Sequence, residues 1–178
     1  MSPKINEELI KTVARALEGL NEKVVFVGGA TVPLYADVPV LDIRPTDDID
    51  VAVEILSYAK RTNIEERLGK IGFRPDTSSG VACRYIMGED IVVDIIPTND
   101  PSSGIKTKWY PEGFKNSIPY QLDDLTINIF SAPYFISAKL EAFKDRGKKD
   151  GRTSQDFEDI IFILENRTTV WDEIKNSD

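Results

Sequence analysis

Short apolar, β-branched runs interleaved with helical spacing are what most restrict the fold of this chain. Val24-Val25-Phe26-Val27 and Ile91-Val92-Val93-Asp94-Ile95-Ile96 read as buried strands, and Ile49–Val53 as a third. The first run is stopped by Gly28-Gly29, and Ala30–Tyr35 predicts a short helix straight after, with Pro33 in its first turn. Ile5, Leu9, Val13, Ala16, Leu17 and Leu20 fall at helical spacing, so an amphipathic helix is expected over 5–20, ended by Gly19 and Asn21. Residues 58–70 predict a further helix. Val81–Met87 and Ile91–Ile96 flank Gly88-Glu89-Asp90, the pattern of an antiparallel hairpin. Residues 97–117 carry Pro, Gly, Ser and Lys without a period and read as a long loop. Leu125–Phe130 is expected as a strand; Pro133 opens a helix to Arg146, and Thr153 or Ser154 caps another to Leu164. The order implies an α/β core over 1–131 and a helical portion over 132–178, packed beside whatever site the core carries.

Composition narrows the chemistry. With 178 residues, 41% hydrophobic and 29% charged, the chain can bury a real core. It has no histidine, which removes every imidazole mechanism and every histidine-ligated metal site. Its one cysteine, Cys83, rules out an intramolecular disulfide and a multi-thiolate centre. Catalysis would have to run on carboxylates, amines, guanidinium groups, hydroxyls or an oxygen-held metal. The net charge of -8 argues against a surface coated by nucleic acid. No apolar stretch is long enough to span a membrane and the N-terminus lacks a signal-peptide core, so a cytoplasmic protein is expected.

Three features converge on one chemistry. Gly28-Gly29 lies between a strand and a helix start, where backbone amides can approach a phosphate; alone it also serves as a tight turn. Asp48-Ile49-Asp50 begins a strand, so both carboxylates face one side, an oxygen donor pair suited to Mg²⁺ or Mn²⁺. On its own the pair also fits a solvated acidic loop with Asp42 and Asp47. Asp94 sits inside the most apolar strand, where an unpaired charge is costly to bury, and it completes a three-carboxylate cluster if that strand neighbours Ile49–Val53. The other reading is an edge-strand Asp facing water.

Taken together, the strand, the Gly-Gly turn, the Asp-hydrophobe-Asp pair and the later Asp resemble the nucleotidyltransferase fold of the DNA polymerase beta superfamily. Within it the chain resembles the AbiEii-type abortive-infection nucleotidyltransferases. Their Arg-x-Ser/Thr-x-Asp-hydrophobe-Asp stretch is matched by Arg44-Pro45-Thr46-Asp47-Asp48-Ile49-Asp50. Their later helical motif is matched by Lys139-Leu140, Arg146, Asp156 and Asp159. One departure is Gln155, where family members often carry Arg before the first Asp of that motif. The resemblance implies a mixed-sheet α/β (α+β) fold and a metal-dependent enzyme moving a nucleoside monophosphate from a triphosphate to an acceptor hydroxyl. It implies Mg²⁺ or Mn²⁺ on Asp48, Asp50 and Asp94. It also implies nucleotide contacts from Gly28, Gly29, Thr31, Arg44 and Lys139, with Lys139 neutralising the phosphates. Asp156 is expected to orient Lys139 or Arg146, and Arg44 to meet the substrate or brace Asp48. The AbiEii likeness further implies a toxin with an antitoxin protein partner and a tRNA acceptor. A small acceptor such as an aminoglycoside, or a catalytically silent binding module, are the competing readings.

Charge is uneven along the chain. Residues 139–152 are net +3, whereas residues 153–178 are net -5. The basic segment can receive an RNA end or a triphosphate, or form a solvated turn. Trp109, Tyr110 and Phe114, interleaved with Lys106, Lys108 and Lys115, fit either base stacking or packing of the loop onto the domain.

Overall fold

Among the described residues, seven strands form one mixed sheet in the order β3-β4-β5-β2-β1-β7-β6. They are β1 (Val24–Val27), β2 (Asp48–Val53), β3 (Phe73–Pro75), β4 (Arg84–Met87), β5 (Ile91–Pro97), β6 (Ile118–Leu122) and β7 (Leu125–Ile129). The computed structural model describes residues 4–20, 22–40, 44–55, 57–99, 108–146 and 150–177. The centre carries the expected apolar runs: β1 pairs antiparallel with β2 and parallel with β7, and β2 runs parallel to β5. Val25, Phe26, Val27, Val51, Ala52, Val53 and Val93 are buried, as strands covered on both faces require.

Among the described residues, six α-helices flank the sheet: α1 (Lys4–Leu17), α2 (Tyr58–Lys70), α3 (Tyr110–Lys115), α4 (Ala132–Arg146), α5 (Gln155–Asn166) and α6 (Val170–Lys175). A short 3-10 helix, Gly29–Tyr35, follows the double glycine. In α1 the buried face holds Asn6, Ile10, Val13 and Leu17, while Ile5 is 42% exposed. The stripe is thus turned from the expected one at its first turn, because Asn6 faces inward to bind backbone. Ser154 caps α5 by accepting from the Phe157 amide, as its position before the periodic run requires.

The hairpin of β4 and β5 is present, with Gly88 in the left-handed region at φ 65° in its turn. The four short elements β3, β6, α3 and α6 lie outside the sequence expectations. The loop expected over 97–117 contains α3, whose Tyr110 ring packs edge-on to Phe130 with centroids 5.3 Å apart and whose Phe114 is buried. Those two aromatics pack the segment onto the domain, while Lys106 lies outside the described residues. Among the described residues no helix is long and apolar enough to cross a membrane.

Tyr35, 1% exposed, ties the 3-10 helix to the end of β7 by donating to the Phe130 carbonyl at 2.7 Å. Tyr35→Phe removes the donor and keeps the ring, so it is expected to cost about 1–2 kcal/mol, measured as a lower urea midpoint with unchanged slope.

Candidate functional site

The register of the sheet decides where the carboxylates go. Asp50 on β2 stands opposite Asp94 on β5 and opposite Val27 on β1, and Asp94 in turn stands opposite Arg84 on β4. Opposed residues in paired strands present their side chains on the same face. Asp48 joins them there, two residues before Asp50. The expected row of Asp48, Asp50 and Asp94 is therefore formed by neighbouring central strands, and Asp94 is not an edge residue.

Arg84, which motif reading passed over, is the cation of this row. Its Nε donates to Asp94 Oδ1 at 2.8 Å, and its second terminal nitrogen donates to Asp94 Oδ2 at 2.8 Å and to Asp48 Oδ2 at 2.9 Å. A bidentate fork on one carboxylate with a third bond to another is a geometry that guanidinium offers and ammonium does not. The Asp94 bonds in particular hold Arg84 charged, its pKa raised above the ordinary arginine value. The signal was available: a hairpin turning on 88–90 sets residue 84 across from residue 94.

Gly28 places the phosphate-type turn against this row. Its φ is 73°, and a Cβ there would fall 1.8 Å from Asp50 Oδ2. The carboxylate fills the space a side chain would need, so only glycine fits. Gly29 is closed in on its other side by Thr46 Cγ2 and Arg44, 2.9 and 3.3 Å from where a Cβ would stand. Asn6 holds this neighbourhood, donating to the Arg44 carbonyl at 3.3 Å and accepting from the Thr46 amide at 3.5 Å. Thr31 is fully buried and donates its hydroxyl to the Gly28 carbonyl at 2.9 Å, so in this arrangement it braces the turn.

A second charge network lies beyond Gly29. Lys139 on α4 is only 12% exposed and pairs with Asp159 at 2.7 Å and Asp156 at 3.3 Å, both on α5. Arg44 reaches Asp159 at 3.1 Å and does not brace Asp48; Arg146 grips Asp156 with two bonds at 2.7 and 2.8 Å. Burial alone would raise the Asp156 carboxyl, but the Arg146 bonds and the Lys139 charge outweigh it and hold it below the ordinary carboxylate value. Arg44 Nε, 3.8 Å from the Glu158 carboxylate, and Thr46 Oγ1 are buried without a hydrogen bond, and both belong to the segment closing on Gly29. Buried donors of that kind are fit for an anion. Arg152 does not join the network; it is exposed and pairs with Asp150. Residues 147–149 of the basic segment lie outside the described residues.

The acid row itself is short of positive charge. Burial, then the Asp94 charge, pushes the Asp48 carboxyl up, with Arg84 opposing. Burial pushes Asp50 up to about 7; the Asp48 and Asp94 charges add to this, and Lys139 and Arg146 oppose it. Among the described residues no group of three ligating side chains converges as for a metal ion. Asp48 and Asp94 close on Arg84 while Asp50 faces Gly28. The donor set nevertheless fits Mg²⁺ or Mn²⁺: three carboxylate oxygen donors on one face, with a guanidinium standing where a cation is wanted. Two open surface clefts, one by Leu17, Lys23 and Leu125 and one by Gly151, Phe157 and Glu165, lie away from this row.

No family model matches the chain, and no curated protein does. Solved structures do. An antigenic nucleotidyltransferase-like protein from Paracoccidioides brasiliensis superposes with a TM-score of 0.64 at 19% identity, over 93% of this chain and 78% of that one. ANT(2'')-Ia in complex with adenylyl-2''-tobramycin gives 0.59 at 16% identity, over 95% of this chain and 92% of that one. The lincosamide antibiotic adenylyltransferase LnuA, lincomycin-bound, gives 0.54 at 16%, over 88% and 95%. The mixed sheet and its helices are thus the nucleotidyltransferase fold.

Gly28→Ala, strained in backbone and blocked by Asp50, is expected to lose about 2–4 kcal/mol in urea denaturation. Asp50 has an ordinary value of 3.8 and a folded value of about 7. Between about pH 4 and pH 7 the unfolded chain releases this proton while the folded chain keeps it, so its contribution to stability falls as pH rises. In EDTA, Asp50→Asn should therefore gain melting temperature over wild type between about pH 5 and pH 8. A difference that stays constant with pH would contradict the assignment.

Proposed function

We propose that this chain is a metal-dependent nucleotidyltransferase that moves a nucleoside monophosphate from a nucleoside triphosphate to an acceptor hydroxyl. The observation that carries the reading is the single row of Asp48, Asp50 and Asp94 against the Gly28-Gly29 turn, on this fold. In the reaction the acceptor oxygen bonds the α-phosphorus, the bond to the β-phosphate oxygen breaks, and pyrophosphate leaves as the hydroxyl loses its proton. Asp48, Asp50 and Asp94 would hold Mg²⁺ or Mn²⁺, which when bound supplies charge neutralisation and Lewis acidity at the attacking and leaving oxygens.

The chain's own groups have positional tasks, as phosphoryl-type transfer demands. Gly28 and Gly29 offer backbone amides to the triphosphate without a side chain in the way. Thr31 stiffens that turn through its bond to the Gly28 carbonyl. Arg44 brings a terminal nitrogen, bonded to Asp159, beside Gly29, and its Nε, which makes no hydrogen bond and stands 3.8 Å from Glu158, is the donor it offers. Lys139, whose charge acts on both Asp48 and Asp50, neutralises phosphate, and Asp156 and Asp159 fix where its ammonium stands.

The motif stretches from Arg44 to Asp50 and from Lys139 to Asp159 support the AbiEii-type form of this reading. That form is the toxin of a toxin–antitoxin pair, acting on tRNA. A small acceptor is the second reading. The tobramycin and lincomycin complexes among the fold's neighbours favour it, as does a net charge of -8, which suits a large polyanion poorly.

Incubation with α-phosphate-labelled nucleotides, Mg²⁺ and either total tRNA or an aminoglycoside is the direct test. Label is expected on one acceptor, falling at least about a hundredfold in Asp48→Ala and Asp94→Ala. No transfer to any acceptor, together with no metal-dependent nucleotide binding by calorimetry, would leave a silent binding module.

A further inference from the structure

The nucleotidyl-transfer reading leaves one charged group without a task. Arg84 occupies the oxygens of Asp48 and Asp94 that the proposed metal needs, by bonds of 2.8–2.9 Å. It does not lie deep in the core: its side chain is 25% exposed, against 11% for Asp94. An incoming solute can therefore reach the guanidinium. We propose that Arg84 is a built-in counter-cation that competes with a divalent ion for Asp48 and Asp94, and that a nucleoside triphosphate relieves the competition by accepting the guanidinium itself.

The inference rests on that reading of the site, and its physical basis is a choice between like partners. The guanidinium fork matches a carboxylate and a phosphate by the same bidentate geometry. A divalent ion at Asp48 and Asp94 must displace Arg84 and leave its charge uncompensated next to the site. A triphosphate removes that penalty by giving Arg84 new acceptors. Metal without nucleotide then binds weakly, and each ligand strengthens the other by the same factor. The sheet favours such an exchange. β4 lies beyond β5 and places Arg84 opposite Asp94, so the side chain need only turn from one anion to another while its strand stays paired.

The alternative is that Arg84 is only a structural tie from β4 to β2, and metal binding separates the two. Mn²⁺ alone is titrated by electron paramagnetic resonance into wild type, Arg84→Gln and Arg84→Lys. The titrations are repeated with each of the four α,β-methylene nucleoside triphosphates. Competition predicts that Arg84→Gln binds Mn²⁺ at least about tenfold tighter than wild type without nucleotide, the scale on which one opposite charge at this distance alters a carboxylate. It also predicts that wild type tightens with at least one nucleotide and that the glutamine variant tightens less. Arg84→Lys, which keeps the charge and loses the fork, should fall between the two. If circular dichroism finds the glutamine variant unfolded, the lysine variant carries the comparison, and Mn²⁺ affinity no tighter than wild type overturns the proposal. Equal or weaker Mn²⁺ binding in a folded glutamine variant overturns it too, while the site reading stands. No Mn²⁺ binding in any protein or combination sinks both.

Discussion

The candidate site depends on keeping three carboxylates together on one face of a buried sheet. Asp48, Asp50 and Asp94 are brought there by the parallel pairing of β2 and β5, and that arrangement is repulsive on its own. Arg84 makes it tolerable. Its fork on Asp94 and its third bond to Asp48 place a positive charge among them. Asp50, left to face Gly28, bears the remaining strain as a carboxyl that holds its proton up to about pH 7. The fold thus keeps a place that improves when positive charge arrives, the condition a metal site should satisfy.

The Gly28-Gly29 turn joins this row to a second set of charges. One side of the turn is the Asp50 carboxylate, and the other is the Arg44–Thr46 segment with Asp159 behind it. Arg44, Asp159, Lys139, Asp156 and Arg146 alternate in sign, and Asp156 and Asp159 are almost wholly buried. Buried ions tolerate that position only when paired, so the pairing fixes α4 and α5 relative to the turn. That framework, and not its own helix alone, holds Lys139 where its charge acts on Asp48 and Asp50.

Much of this is legible in the sequence, for definite reasons. β1, β2 and β5 are short, β-branched and buried, and such runs declare themselves. α2 and α4 begin within a residue of where their patterns start. The elements missed are short or at edges. β3 and β6 each carry a proline, which an edge strand tolerates and a sequence pattern reads as a break. α3 contains Pro111 and Gly113 in six residues, and the glycine is there because a Cβ would strike the Phe130 ring at 2.8 Å, a contact far away in sequence. Asn6 lies outside the apolar spacing of α1, yet it faces the core, where its amide bonds the backbone of residues 44 and 46.

By itself the sequence determined the chemical vocabulary: oxygen donors and cationic side chains, with no imidazole and a single thiol. It also determined that Asp48 and Asp50 share a face, since that follows from the two-residue period of a strand. The hairpin turn at 88–90 even fixed Arg84 across from Asp94, although nothing in the motif asked for it. Only the tertiary structure decided that β5 lies beside β2, which sets Asp94 opposite Asp50 as the third carboxylate of the row. It alone decided that Lys139 and Arg44 meet the same aspartate, 115 residues from Arg44. Local rules act over a few residues, whereas the placing of charge is settled by which strands pair and which ions find a partner when water is excluded.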